Sequence, residues 1–200
     1  MPVPGKVRTS YRLDKPGPQA DDGGRGALKA AAHSSASMLR TSVRVEADAL
    51  GHIGFSWLVP ALIPGADMAV RELDDSPVRL ILAFEGDRNQ FSARNAMLNE
   101  LTRLVTGEEM PYATLMYVWC NQRPVGSVIH NARTDRIRKI VVESGPQGLL
   151  KWRNYERNIR ADFEKAFGEP PGALVAIGLM TDSDNTGSNT VAWYGPIGLR

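Results

Sequence analysis

Over most of this chain, apolar residues recur at every second position or in short continuous runs, and both patterns are typical of β-strands. Within 53–59, Phe55 and Trp57 stand two residues apart and would share one face of a strand. The run at 78–84 is apolar on both faces except at Arg79, as expected of a strand buried between two layers. Other strand-like segments lie at 8–13, 43–45, 115–120, 137–142, 174–180 and 191–199. The chain is therefore predicted to be mainly β.

Two segments follow the period of a helix instead. The first is predicted over 92–106, where Gly107 is the expected C-cap, and the second over 152–167, where Gly168 and two prolines end it. The apolar residues that predict them are Met97, Leu101, Leu104 and Val105 in the first, and Trp152, Tyr155, Ile159, Phe163 and Phe167 in the second. We expect both helices to pack on a sheet.

The order of these elements indicates the fold class. Strands follow one another with helices inserted twice, which differs from the regular strand–helix alternation of a doubly wound sheet. We therefore predict an antiparallel β-sandwich with two inserted helices, formed by 1–200 as a single domain. Residues 1–26 are expected to form a first strand and a flexible loop rich in glycine, proline and aspartate.

Composition and charge narrow the functional classes. A hydrophobic content of 42% and a charged content of 23% exclude a wholly disordered chain, a collagen-like fibre and a coiled coil. No apolar run is long enough for a membrane-spanning helix. The formal net charge of +2 gives no support to nucleic-acid binding. A local basic cluster is divided by strand alternation over two faces, and we expect it to be solvated. Its members are Arg133, Arg136, Arg138 and Lys139.

The chain has one cysteine, Cys120, so an intramolecular disulfide is excluded. Its apolar surroundings in the sequence predict a buried, unreactive thiol. The stretch Met1–Lys6 lacks the apolar segment of a signal peptide. We therefore expect a cytoplasmic protein, or a periplasmic or exported one if a signal peptide has been trimmed. The oligomeric state is left open.

Two groups of residues are candidates for ligand binding. Asp74 and Asp75 precede Arg79, and a buried arginine needs a carboxylate partner, so these residues form either a structural ion pair or part of a ligand site. Aromatic side chains in strands could stack on sugar rings, although such residues more often belong to a core. Those considered as ligand contacts are Tyr117, Trp119 and Trp193.

The turn at 181–187 is the most motif-like segment of the sequence. Asp182, Asp184 and Asn185 could hold a structural calcium ion together with backbone carbonyls. The flanking segments are strands, and the glutamate that closes an EF-hand loop would fall at Trp193, so an EF-hand is excluded. The favoured interpretation is a turn whose side chains bond to local backbone. No cofactor other than this calcium is expected.

Several blocks together resemble a known family. They include DDSPVRLILAFEGD at 74–87, MPYATLMYVWCNQRPVGSVI at 110–129, WRNYERNIRADFEKAFGEPPG at 152–172 and LMTDSDNTGSNTVAWYG at 179–195. In this order they are similar to the bacterial domain-of-unknown-function family 3047. The resemblance implies a β-sandwich, of the jelly-roll type found in galactose-binding domains, and no established activity.

Three functions stay open at the level of sequence. The preferred one is a non-catalytic module that binds a carbohydrate or a similar ligand, because no nucleophile–base pair can be assembled from the motifs. The second is a glycan-active hydrolase or lyase that uses paired carboxylates. The third is an interaction or assembly protein of the cell envelope. The carboxylates considered for the second are Asp74, Asp75, Glu143 and Asp182.

Overall fold

Twelve strands form two six-stranded sheets in the part of the chain that the structure, a computed structural model, describes, namely residues 5–16 and 26–200. The first sheet comprises β1 (Ser10–Asp14), β2 (Ala27–His33), β4 (His52–Leu58), β9 (Arg153–Asn158), β11 (Asn189–Tyr194) and β12 (Gly198–Leu199). The second comprises β3 (Ala36–Val45), β5 (Ser76–Phe84), β6 (Ala113–Cys120), β7 (Val128–His130), β8 (Ile137–Ser144) and β10 (Leu174–Asp182). The mainly β fold predicted from the sequence is confirmed.

The chain passes repeatedly from one sheet to the other. The order in the first sheet is β1-β2-β11-β4-β12, with β9 also paired to β4, and in the second it is β3-β10-β5-β6-β8-β7. Among the described strands, all pairs are antiparallel except β6 and β8, which run parallel. This exception to the antiparallel prediction arises because the chain leaves β6, forms the short edge strand β7, and returns by a hairpin into β8. The architecture is a jelly-roll-type β-sandwich.

The core lies between the inward faces of the two sheets. Trp57 of β4 and both Tyr117 and Trp119 of β6 are fully buried there. Every residue of β5 is buried, as the apolar run at 78–84 predicts. Burying one large apolar side chain stabilises the folded state by about 1.5–3 kcal/mol. The sandwich is therefore held mainly by aromatic and aliphatic packing between the sheets.

The first helix, α1 (Ala93–Thr106), occupies the predicted segment but packs with the opposite face. Ser92 caps its N-terminus by accepting a hydrogen bond from the Asn95 backbone, and Gly107 ends it with a φ of 76°. The buried residues of the helix are Asn95 and Asn99. The apolar stripe, which consists of Met97, Leu101, Leu104 and Val105, is 56% to 79% exposed.

The second helix, α2 (Ile159–Phe167), is shorter than predicted, and the prediction of a helix over 152–158 is wrong. Residues 153–158 form β9 instead and pair with β4, where Tyr155 lies opposite Phe55. Within β9 the half-buried residues alternate with exposed ones, because hydrogen bonding to β4 imposes a period of two. Asn158 then caps α2 by accepting a hydrogen bond from the Ala161 backbone.

The predicted loop after the first strand falls mostly on residues 17–25, which lie outside the described residues. Within the described ranges, no helix is both long enough and apolar enough to cross a membrane. That 1–200 forms one domain stays a prediction.

Candidate functional site

A groove runs along the outer face of the second sheet, beside α1. It consists of two adjoining cavities of about 310 Å³ each, which we call the apolar pocket and the polar pocket. The sheet side chains in the groove belong to the face opposite the core, because they alternate with the core residues of β5, β6 and β10. Both pockets are lined by Thr102, Met110, Ile137 and Met180.

The polar pocket brings together side chains from distant parts of the chain. Among the described residues, three cationic ones and three carboxylates line it, so their formal charges balance, and two asparagines add amide groups. In chain order these residues are Lys6, Arg71, Asp74, Asn131, Arg133, Asp182, Asp184 and Asn185. Most are planar groups that can make two parallel hydrogen bonds to one partner.

A buried charge network lies behind this pocket. Arg79 donates from Nε and Nη2 to the two oxygens of Asp182, both at 2.8 Å, and Nη2 also donates to Asp74 Oδ1 at 3.1 Å. Lys139 donates from Nζ to both oxygens of Asp74, at 2.7 and 2.6 Å, and to the Met68 carbonyl at 3.0 Å. Arg79 lies on the outward face of β5, where burial makes such partners necessary. It is therefore a structural ion-pair residue.

Burial shifts the pKa of two groups in this network. Desolvation, reinforced by the positive charge of Arg79, lowers the pKa of Lys139 to about 8. Desolvation also raises the pKa of Asp182 to about 6, although the Arg79 guanidinium acts in the opposite direction. Lys139 is almost fully buried, so the prediction that it belongs to a solvated strand is wrong. Its side chain lies on the face covered by the segment that carries Met68 and Asp74.

Asp75 organises the turn that carries the predicted calcium residues. Its Oδ1 accepts from the Asn185 backbone at 3.2 Å, and its Oδ2 accepts from the backbone and hydroxyl of Thr186, both at 2.7 Å. Asp184 forms an ion pair with Lys6 at 2.6 Å. The turn is thus held by hydrogen bonds, but its main acceptor comes from another part of the chain.

The carboxylates of the predicted calcium site lie close together, but each already accepts a hydrogen bond or forms an ion pair. Oxygens of Asp75, Asp182 and Asp184 lie within 4.8 Å of one another. Both oxygens of Asp182 accept from Arg79, and the side chain of Asn185 donates to the Arg71 carbonyl. The positive charges of Arg79 and Lys6, which already pair with Asp182 and Asp184, oppose the binding of a further cation here. Calcium binding therefore stays a prediction, and the geometry weighs against it.

Two of the three candidate aromatic residues face the core. Tyr117 stacks on Phe55 with ring centroids 5.5 Å apart and donates to Asp162, while Trp119 donates from Nε1 to the Gly145 carbonyl. Because alternate residues of β6 point between the sheets, these side chains cannot contact a ligand, and that interpretation is corrected. Trp193 is also buried, on the outer face of the first sheet beneath Lys29.

Comparison with known proteins places the chain in a family. The family described as protein of unknown function (DUF3047) matches residues 2–198. The chain belongs to this family. No curated protein matches it. A solved structure, the xyloglucanase domain of NopAA, a type three effector from Sinorhizobium fredii in complex with cellobiose, is similar with a TM-score of 0.46 and 8% identity. That similarity covers 100% of this chain and 97% of the other.

In this DUF3047 protein, sequence reasoning located part of the site. Of the residues predicted to contact a ligand, Asp74 lines the polar pocket, whereas Arg79 and Asp75 support it from behind. The three residues of the proposed calcium turn line the same pocket. Three charged or amide residues of the pocket were missed, because isolated polar residues in loops give no periodic signal. They are Lys6, Arg71 and Asn131. Arg133 was predicted only as part of a solvated basic cluster.

Proposed function

We propose that the polar pocket binds a carbohydrate and that the protein is a non-catalytic binding module. The observation that carries this proposal is the charge-balanced lining of carboxylate, guanidinium and amide groups in an open cavity of about 310 Å³. Carboxylates accept two hydrogen bonds from neighbouring hydroxyls, and guanidinium groups donate two. A lining with equal numbers of cationic and anionic groups favours a neutral, hydroxyl-rich ligand over an ion.

The buried network supports binding by holding the pocket side chains in place. Arg79 binds both Asp74 and Asp182, and Lys139 fixes Asp74 from the other side. These carboxylates lose little further conformational freedom when a ligand arrives, which lowers the entropic cost of association. The pocket therefore has a rigid wall that matches one arrangement of hydroxyl groups.

One observation favours the alternative of a glycan-active hydrolase or lyase. Asp182 lines the pocket with a pKa of about 6, a value suited to a general acid. Against this, both of its oxygens accept from Arg79, and Asp74 is bound by Lys139. An acid or base must exchange its proton with substrate, and these bonds obstruct that exchange. Binding without turnover is the function that the geometry supports better.

A glycan array followed by calorimetric titration tests this proposal. We expect binding of at least one oligosaccharide, weakened about tenfold or more in Asn131→Ala, because that amide lines the pocket. The matched control is Asn154→Ala, at an exposed position of β9 outside the pocket. Binding that is unaffected by Asn131→Ala, or an array without any hit, would contradict the proposal.

The same ligand tests the catalytic alternative. The wild-type protein is incubated with the bound oligosaccharide, and the products are analysed by mass spectrometry. We expect the oligosaccharide to be recovered intact. Cleavage products that disappear in Asp182→Asn would instead show an enzyme that uses the carboxylate in the polar pocket.

A further inference from the structure

We propose that the ligand is an amphiphile, a saccharide that carries an aliphatic chain, and that the apolar pocket takes this chain. The inference rests on the proposed carbohydrate binding and extends it along the groove. The two pockets share Thr102, Met110, Ile137 and Met180, so a ligand whose head group lies in the polar pocket can extend directly into the apolar one.

The lining of the apolar pocket is rich in methionine. Four of the seven methionines in the chain line it: Met38, Met110, Met116 and Met180. Methionine is unbranched and flexible, so its side chain adapts to irregular or mobile apolar partners. Methionines drawn from three strands and one loop thus provide an adaptable surface, as a flexible chain requires.

The backbone of β10 contributes space to the same pocket. A Cβ atom at Gly178 would lie 2.7 Å from the Sδ of Met38, so a larger residue there would make the Met38 side chain move. Gly178 and Ala176 have small or no side chains, so they leave space between the methionines at the bottom of the pocket. The pocket therefore forms a shallow apolar channel along the face of the sheet.

An aliphatic chain fits this channel better than a second sugar does. None of the described residues that line the apolar pocket is aromatic, so a pyranose ring would find no stacking partner there. The charged side chains at its margin include Arg40 and Glu108, which form an ion pair with each other at 3.0 Å. Hydroxyl groups placed in this half of the groove would lose hydrogen bonds to water, whereas methylene groups would gain by leaving it.

Titration with methyl, hexyl and octyl maltosides, kept below their critical micelle concentrations, tests the proposal. Each methylene group that enters the pocket should tighten binding about fourfold, until the channel is full. In the double variant Met38→Gln, Met116→Gln, octyl maltoside should bind at least tenfold more weakly, while methyl maltoside is unaffected. The control Met97→Gln makes the same chemical change on the exposed face of α1 and should alter neither affinity.

The outcomes separate this inference from the proposed function. Equal affinity for methyl and octyl maltosides would overturn the aliphatic site and leave carbohydrate binding intact. Equal affinity for octyl maltoside and an octyl sulfobetaine, which has no sugar, would overturn the carbohydrate-binding function, and with it the saccharide part of the ligand. Failure of every probe to bind would overturn both. The chain-length series uses the wild-type protein, so the test stands even if the double variant does not fold.

Discussion

At the scale of single residues, the two buried cations Arg79 and Lys139 hold carboxylates in place on the outer face of the second sheet. Both form an ion pair with Asp74, and Arg79 also pairs with Asp182, so two carboxylates balance the two cations. The sequence predicted a carboxylate partner for Arg79 because Asp74 precedes it by five positions. The stronger partner, Asp182, is 103 residues away in sequence, so only the folded chain brings it close. Lys139 was misassigned because alternation identifies a face without showing what covers it.

The shifted pKa of Lys139 predicts a specific dependence of stability on pH. Between pH 8 and about 10.5 the native chain has lost the proton of Lys139, whereas the unfolded chain still holds it. The unfolding free energy should therefore rise with pH in this window, by up to about 3 kcal/mol from this group. We expect urea unfolding from pH 8 to about 10 to show that the unfolding free energy of the wild type rises relative to that of Lys139→Met.

The comparison with Lys139→Met removes the contribution of other titrating groups. Burial raises the pKa of Tyr11, Tyr117, Tyr155 and Tyr194, and these residues affect both proteins alike. A difference between the two proteins that stays constant across the window would contradict a depressed pKa at Lys139.

The turn at 181–187 gives a second prediction at this scale. Because Arg79 and Lys6 already bind Asp182 and Asp184, we expect neither EDTA nor millimolar calcium to shift the melting temperature. A calcium ion that bound only the native state would add about 2.7 kcal/mol at one hundred times its Kd. A stabilisation by calcium that is lost in Asp184→Ala would show that the turn is a metal site after all.

At the scale of elements, α1 and α2 show which features of a helix its sequence period predicts. Both apolar stripes are visible in the sequence, but only α2 buries its own, through Ile159 and Phe163. In α1 the polar side faces two loops, where Asn99 accepts from the Met110 backbone at 2.8 Å and Asn95 accepts from the Thr134 hydroxyl at 2.8 Å. Periodicity predicts that a helix forms, and specific polar partners determine which face it turns inward.

The two helices should therefore respond differently to the loss of one apolar side chain. Phe163 is fully buried and packs edge-on against Phe84, with ring centroids 4.7 Å apart. Phe163→Ala should therefore lower the unfolding free energy by about 3–5 kcal/mol. Leu101→Ala should change stability by no more than about 0.5 kcal/mol, because Leu101 is 56% exposed and alanine favours a helix equally well.

Denaturant unfolding of both variants measures these changes. The control on α2 is Glu164→Ala, which alters an exposed residue next to Phe163 and should have an effect as small as that of Leu101→Ala. A large loss in Leu101→Ala would mean that the apolar stripe of α1 is covered in solution.

At the scale of the whole molecule, the groove results from pairing between distant segments. β10 lies between β3 and β5, and thereby joins the turn at 181–187 to the segment that carries Asp74 and Asp75. Strand patterns predicted the individual strands well. They could not predict which strands are neighbours, because hydrogen bonding between strands leaves no trace in the pattern of a single segment. The polar pocket was therefore predictable only as scattered aspartates.

The position of Cys120 makes the integrity of the second sheet measurable. The residue is 1% exposed at the end of β6, which is paired on both sides, with β5 and β8. A thiol reagent attacks the exposed thiolate, so labelling of Cys120 requires the sheet to open. Because β6 is an interior strand, exposing Cys120 requires β6 to separate from β5 or β8. We expect this separation to occur only on global unfolding. The free energy from labelling should then equal that from circular dichroism in urea, within about 1 kcal/mol.

The control for this experiment is a thiol placed on an exposed position of the edge strand β3. In the background Cys120→Ala, Ser42→Cys should label at the rate of a free thiol without denaturant, since Ser42 is exposed. Dithiothreitol should leave the melting temperature of the wild type unchanged, because its single thiol is buried and has no partner within the chain. Rapid labelling of native Cys120 would show that β6 separates from β8 locally. In that case the floor of the groove, which includes Met116 of the same strand, would itself open in the folded protein.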